Sequence, residues 1–175
     1  LYSADAVTIP TAMDAFCGLS DQVGKLGLDA LLAPSIHYAD EGVPVAPRVA
    51  FDWALETEKL KGSAREYYLK DGAALKTGDV FRAPGQAEVL RRVAKSGRHA
   101  FYNGEIAEDM IAALTAQGGV HTSADFAAAA SDPATPVEAP YKGVDVVEHP
   151  PNGQGATALL LPNILDQFDI AVMAA

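Results

Sequence analysis

A strand, a turn and an apolar segment follow one another over residues 144–170, and this stretch constrains the fold most strongly. The β-prone residues 144–149 predict a strand, which Pro150 and Pro151 end because proline offers no N–H to a sheet. In the turn that follows, residues 150–155, Gly153 and Gly155 allow a tight change of direction, and we call this segment the glycine turn. Residues 156–168 predict a helix with one buried side. We assign to that side the large apolar residues near helical spacing, which are Leu159, Leu160, Ile164, Leu165 and Phe168.

A glycine turn that leads into a helix is also the setting in which many proteins bind phosphate. Here the lysine and hydroxyl residues of a P-loop do not follow the glycines, and the spacing is not that of a dinucleotide fingerprint. The sequence therefore favours a tight connection over a nucleotide site.

The charge balance limits the classes of partner. The chain has 23 acidic and 13 basic residues and a net charge of −10, with no basic stripe, which argues against nucleic acid binding. No apolar run approaches the roughly 18 residues of a membrane helix. The single cysteine, Cys17, is predicted to be a small buried hydrophobe. The N-terminal residues show no signal peptide pattern. The chain starts with Leu1 and not with methionine, which suggests a processed or cut chain. The sequence therefore favours neither a periplasmic nor a cytoplasmic location.

Most of the chain reads as short helices, so the predicted fold class is α+β with few strands. Residues 6–9 predict a short strand, and residues 137–141 predict a hairpin with 144–149 across Lys142 and Gly143. The helix that opens at Pro47 is expected to run to Lys61. The expected helix starts, from caps, prolines and apolar spacing, are near Ala12, Leu28, Pro47, Ser63, Pro84, Asn103 or Gly104, and Ser123.

Few residues stand in a pattern that chemistry requires. The histidines His37, His99, His121 and His149 lack ligand spacing, so we predict no metal site. His149 lies beside the glycine turn with Glu148, which fits either a functional role or a strand end. Asp14 is interpreted as a cap or turn residue, and Arg98 as a cation near a helix C-terminus. No serine hydrolase elbow is present, and no active site is visible from spacing alone.

Several blocks, taken in order along the chain, resemble the gamma-glutamyltransferase (gamma-glutamyltranspeptidase) family. Residues 144–170 carry the most specific of these blocks, because residues 150–155 resemble PPxxGG and residues 163–169 resemble LNILExFDL. The other matching blocks are residues 7–13 (AVxVPGAV), 34–45 (PAIxLAxxGFPV), 78–87 (GDxxxxPxLAxTL), 97–107 (GxxAFYxGxIA), 118–125 (GGxxTxxDL) and 137–143 (VEPIxxxYRG).

This resemblance implies an αββα sandwich of the N-terminal-nucleophile hydrolase type. Members are zymogens that cut themselves into a large and a small subunit, and the new N-terminal threonine performs acyl transfer or hydrolysis on γ-glutamyl amides of the glutathione type. No cofactor is implied. Residues 1–175 resemble a single segment of the large subunit, so the expected partner is the small subunit. The threonine motif is not in this chain, which is therefore expected to hold no catalytic residue and to be inactive alone.

Three departures from the family pattern bear on the substrate. Thr11 and Gln154 replace family glycines, and Pro162 falls where the family helix continues. These changes fit a divergent amidohydrolase or acylase. We predict that Asn152 and Gln154 bind substrate. The alternative is that both are turn residues whose side chains form hydrogen bonds to the backbone. The rival functions are a non-catalytic scaffold or interaction module, and an isolated fragment that oligomerises through exposed former interfaces.

Overall fold

The computed structural model describes residues 3–173. These fall into two compact units, of which the first ends at Ser131 and the second begins at Asp132. Taken together, the described residues are mainly helical with few strands, which confirms the α+β fold class. The expectation that residues 1–175 form one segment of a large subunit remains a prediction.

Eight α-helices are described in the first unit. No helix within residues 3–173 is both long and apolar enough to cross a membrane. The helix starts expected from prolines and caps are found to within two residues, because each marks a local backbone constraint. The helices are α1 (Ala12–Val23), α2 (Leu28–Glu41), α3 (Pro47–Glu56), α4 (Ser63–Tyr68), α5 (Pro84–Ser96), α6 (Arg98–Tyr102), α7 (Glu105–Thr115) and α8 (Ser123–Ala128).

The core of the first unit forms around two fully buried aromatic rings, Tyr102 of α6 and Phe126 of α8. Thr122 and Asp125 form the predicted capping box, in which each side chain accepts from the backbone N–H of the other residue. This box fixes the start of α8 and so the position of Phe126. Cys17 is buried as predicted. Partly buried apolar residues of α1 and α7 pack on this core, among them Met13, Met110, Ile111 and Leu114.

Helices α2 and α5 pack against each other in the same unit. Ala87, Leu90 and Val93 of α5 are buried, and an ion pair joins Arg91 to Asp40 at the edge of the contact. The sequence did not indicate the small antiparallel sheet nearby, formed by β1 (Val43–Pro44) and β2 (Val80–Phe81). Two-residue strands are too short to show an alternating pattern.

Two local predictions for the first unit are wrong. Residues 6–9 form no strand; a 3₁₀ helix covers Ala4–Ala6, and the carbonyl of Val7 instead lies 2.6 Å from Nε2 of His121. The third helix ends at Glu56 and continues as a 3₁₀ turn, Thr57–Lys59. Arg65 stabilises this end because its guanidinium donates to the carbonyls of Thr57 and Leu60. In a helix that continued to Lys61, the Thr57 carbonyl would instead accept from the N–H of Lys61.

The second unit contains the hairpin that the sequence predicted. Strands β3 (Val137–Tyr141) and β4 (Val144–Glu148) are antiparallel, and Lys142 and Gly143 form the turn with positive φ. After the glycine turn come α9 (Gly155–Leu165) and the short α10 (Ile170–Met173). An ion pair of 3.1 Å joins Lys142 at the hairpin tip to Asp166. The strand, turn and helix predicted for residues 144–170 are thus all present.

The predicted buried side of α9 is wrong in part. Leu159 is buried, whereas Leu160 and Ile164 are each 58% exposed and Phe168 is 48% exposed. The helix packs on the hairpin through Gly155 and its neighbours along the same line, Ala158, Leu159, Pro162 and Leu165. Helix α9 itself carries apolar residues on every side, so their spacing alone could not identify the side that packs on the hairpin.

Candidate functional site

The two predicted substrate-binding residues lie in the turn between β4 and α9. Asn152 and Gln154 are both exposed. Gln154 occupies the N-cap position of α9, yet its side chain makes no capping hydrogen bond. Within residues 3–173 no hydrogen bond from either side-chain amide is found, so the described turn does not depend on them. The assignment of both to substrate stays a prediction.

Gly155 fixes the turn against the strand that precedes it. A Cβ at this position would lie 1.9 Å from the carbonyl oxygen of His149 and 3.0 Å from Cβ of Glu148. Only glycine allows the helix to begin so close to the strand end. The helix N-terminus is held there, and its first N–H groups have no acceptor within the helix. The side-chain amides of Asn152 and Gln154 are thus next in sequence to the free backbone N–H groups of the first turn of α9.

This arrangement has the groups for binding but not for bond cleavage. Amides and helix N–H groups can hold a carboxylate or a carbonyl oxygen. His149 is exposed beside the turn, and in the described residues it has no hydrogen-bonded serine, threonine or cysteine that it could activate. Among residues 3–173 there is no group of three or more His, Cys, Asp or Glu side chains placed to hold a metal ion.

A second polar cluster, centred on Asp14, lies in the first unit and was not recognised in the sequence. Asp14 is 8% exposed. The backbone N–H and the hydroxyl of Ser131 both donate to its Oδ2 at 2.7 Å, and Nε of Arg98 donates to Oδ1. Both carboxylate oxygens therefore have partners, which is what a buried charge requires.

Tyr102 extends this cluster into the core. Its hydroxyl donates to the carbonyl of Pro10 at 2.7 Å and accepts from the N–H of Asp14 at 3.0 Å. The guanidinium of Arg98 lies 5.1 Å from the Tyr102 ring and also donates to the carbonyl of Ala129. The cluster thus joins the start of α1, helix α6 and the segment that follows α8.

The Asp14 cluster makes stability depend on pH in a defined direction. Hydrogen bonds from Ser131 and then from Arg98 lower the pKa of Asp14 from 3.8 to about 2. Because the folded-state pKa is depressed, the stabilisation is present above pH ~4 and is lost as the pH falls toward 2. We expect a loss of about 2 kcal/mol from this group over that interval.

Urea unfolding followed by fluorescence of Trp53, the single tryptophan, measures this effect in the first unit. Other carboxylates also titrate at acid pH, so the comparison is with the Asp14→Asn variant. The difference in unfolding free energy between the two proteins should shrink by about 2 kcal/mol between pH 5 and pH 2. A difference that is constant with pH would contradict the assignment of the charge to this carboxylate.

The first unit also contains a cleft, which the residues of the Asp14 cluster do not line. It has a volume of about 780 Å³ and is formed by residues near the N-terminus, residues 59–64 and the end of α7, including Val7, Leu60 and Leu114. None of the predicted site residues lines it. The cleft therefore adds nothing to the substrate site predicted at the glycine turn.

Comparison with known proteins identifies the family. The family model described as Gamma-glutamyltranspeptidase matches residues 1–175. The glutathione hydrolase-like YwrD proenzyme of Bacillus subtilis is 34% identical over 94% of this chain and 32% of its own length. The glutathione hydrolase proenzyme of Escherichia coli is 28% identical over 92% and 28%.

Solved structures agree with this assignment. The cephalosporin acylase from Bacillus halodurans is 36% identical, with a TM-score of 0.87 over 93% of this chain and 32% of that one. The chain spans under a third of the length of the curated relatives it matches. It belongs to the gamma-glutamyltranspeptidase family.

Proposed function

We propose that this chain is the large-subunit portion of a gamma-glutamyltransferase-like enzyme, which transfers or hydrolyses γ-glutamyl amides of the glutathione type. The observation that carries the proposal is the family match over residues 1–175. Two curated relatives named as a glutathione hydrolase or its like support the substrate class. The nucleophile is a threonine outside this chain, at the N-terminus of the small subunit.

The exposed side of α9 supports a partner of this kind. Leu160, Leu161, Ile164 and Phe168 leave an apolar surface on the side away from the hairpin. A helix that is apolar all round belongs inside a larger protein, with packing on both sides. An exposed apolar surface of this type marks an interface. The small subunit is the occupant we propose for it.

The division of labour follows from the groups present. The threonine hydroxyl attacks the γ-glutamyl carbonyl while its own α-amine takes the hydroxyl proton. The amide C–N bond then breaks, the amine leaves with that proton, and water or a second amine takes the acyl group from the threonine ester. Backbone donors stabilise the oxyanion. This chain supplies no nucleophile to that step. Its proposed contribution is the rigid turn after β4, where Asn152 and Gln154 contact the substrate.

Mass spectrometry of the full-length protein, with an assay for p-nitroaniline release from a γ-glutamyl anilide, tests the proposal. We expect two chains, the smaller with an N-terminal threonine, together with p-nitroaniline release. Cleavage without release would move the substrate to another amide. An uncut and inactive protein would refute the enzyme and leave the scaffold module.

A second candidate, an acylase or amidohydrolase of the same family, is favoured by two observations. The cephalosporin acylase from Bacillus halodurans is 36% identical to this chain. Gln154 also adds a side-chain amide where the family pattern has glycine, and this amide would change the surface presented to the acyl group. Comparing hydrolysis of a γ-glutamyl anilide with that of a non-glutamyl N-acyl amide distinguishes the two candidates.

The predicted contact of Asn152 and Gln154 with substrate has a kinetic consequence. Replacing either by alanine should raise KM about fivefold with kcat unchanged, since each variant removes about 1 kcal/mol of hydrogen bonding to substrate. Asn163→Ala is the matched control because Asn163 is exposed on α9 in the same unit. Equal KM values for all three variants and the unchanged protein would show that the two residues are turn residues only.

A further inference from the structure

Two asparagines of the chain are each followed by glycine, Asn103 by Gly104 and Asn152 by Gly153. An asparagine before glycine is prone to spontaneous deamidation, because glycine has no Cβ to hinder the attack of its backbone nitrogen on the asparagine side chain. The attack also requires that the side chain and the backbone between the two residues can rotate. The structure separates the two pairs on this requirement.

The pair in the glycine turn is unrestrained. Asn152 and Gly153 are both exposed. Within residues 3–173, no hydrogen bond is found for the Asn152 side chain or for the backbone of either residue. The space around Gly153 is open as well, since the atom nearest to an added Cβ would be the Pro150 carbonyl oxygen at 3.9 Å. The side-chain amide and the glycine nitrogen are therefore free to meet.

The pair in the first unit is held between two helices. The Asn103 N–H donates to the His99 carbonyl at 3.1 Å, which closes the end of α6. The Gly104 carbonyl accepts from the N–H of Glu108 at 3.0 Å, which closes the first turn of α7. Asn103 is also partly buried. Rotation between Asn103 and Gly104 would disturb both helix ends, so the structure opposes the attack at this pair.

We propose that Asn152 is a site of spontaneous deamidation through a cyclic imide formed with Gly153. The Gly153 nitrogen bonds to Cγ of Asn152, the Cγ–Nδ2 bond breaks, and Nδ2 leaves as ammonia with the proton that the Gly153 nitrogen has lost. Water then opens either of the two carbonyl–nitrogen bonds of the ring and gives aspartate or isoaspartate. The reaction consumes water, releases ammonia and needs no oxidant or reductant.

The modification changes the charge of the glycine turn. Both products place a carboxylate next to the first turn of α9, where the helix dipole favours a negative charge. Isoaspartate also lengthens the backbone of the turn by a methylene group. Because Asn152 is one of the two residues proposed to contact substrate, substrate binding should weaken as the protein ages. This consequence rests on the proposed function, whereas the modification itself does not.

Peptide mapping by mass spectrometry, on the full-length protein incubated in mildly alkaline buffer, tests the proposal. Aspartate and isoaspartate should accumulate at position 152 at least about tenfold faster than at position 103, which has the same neighbouring glycine. Equal rates at the two positions would overturn the proposal, because the fold would then not select the site. Conversion at position 152 only after unfolding in urea would also overturn it.

Gly153→Ala provides an independent measurement, since its methyl group makes only an ordinary contact in the turn. The variant should slow conversion of Asn152 at least about tenfold and leave the rate at Asn103 within about twofold. An unchanged rate at Asn152 would overturn the proposal.

Asn152→Asp reproduces one product and separates the modification from the proposed function. It should raise KM at least about fivefold, because the side-chain amide is lost. If Asn152 deamidates but KM is unchanged in this variant, the proposed substrate contact is refuted and the modification site stands. If KM rises but Asn152 does not deamidate, the modification site is refuted alone.

Discussion

Replacing Asp14 by asparagine is expected to lower the unfolding free energy of the first unit by about 3 kcal/mol. The variant keeps the volume of the side chain but removes its charge, so Arg98 loses its charged partner. An asparagine amide also cannot accept on both sides, and its NH₂ group would face either Ser131 or Arg98, which are both donors. Urea unfolding at pH 7 followed by Trp53 fluorescence measures the change.

Asp21→Asn is the matched control for this experiment. Asp21 lies on α1, as Asp14 does, but is exposed. Its replacement removes the same charge and should change the unfolding free energy by no more than about 0.5 kcal/mol. If both variants were equally stable, the Asp14 cluster would be no more than a surface ion pair.

The sequence predicted elements whose signals are local. The capping box of Thr122 and Asp125, the start of α5 at Pro84 and the hairpin turn at Lys142 and Gly143 all depend on residues within a few positions. Each is set by backbone geometry that one short segment determines. Local rules were therefore sufficient for most helix starts and for the hairpin.

The Asp14 cluster could not be predicted in the same way. Asp14 meets Arg98 and Ser131 across 84 and 117 residues of sequence. In the sequence Asp14 has the position of an ordinary acidic residue in the first turn of a helix, where the dipole favours it. Only the packing of α6 and the segment after α8 against α1 reveals its second role. The same limit explains α9, whose uniform apolarity left the packed side undetermined.

The candidate substrate site was located by resemblance more than by spacing. The glycine turn was visible as a turn, but nothing in its composition distinguished binding from a tight connection. The structure adds that Asn152 and Gln154 are exposed and that Gly155 cannot accept a side chain. The structure thus shows that the close approach of Gly155 to the end of β4 fixes the turn. Whether Asn152 and Gln154 contact substrate is tested by the KM values of their alanine variants.

Replacing Gly155 by alanine is expected to destabilise the second unit by about 3 kcal/mol, because the new methyl group would overlap the carbonyl oxygen of His149. Relief requires moving either the end of β4 or the first turn of α9. Native-state hydrogen exchange at the Ala158 amide, which donates to the Gln154 carbonyl at 2.8 Å, reports on that turn. Its protection should fall about a hundredfold.

Gly153→Ala is the matched control because it adds the same methyl group two residues earlier in the same turn. The nearest atom to a Cβ there is the Pro150 carbonyl oxygen, at 3.9 Å, which is an ordinary contact. This variant should change protection of Ala158 by no more than about threefold, and in the stabilising direction, since alanine restricts the unfolded chain. If Gly155→Ala behaved like Gly153→Ala, the helix would not be held against the strand end, and the rigid turn that we propose for Asn152 and Gln154 would lose its physical basis.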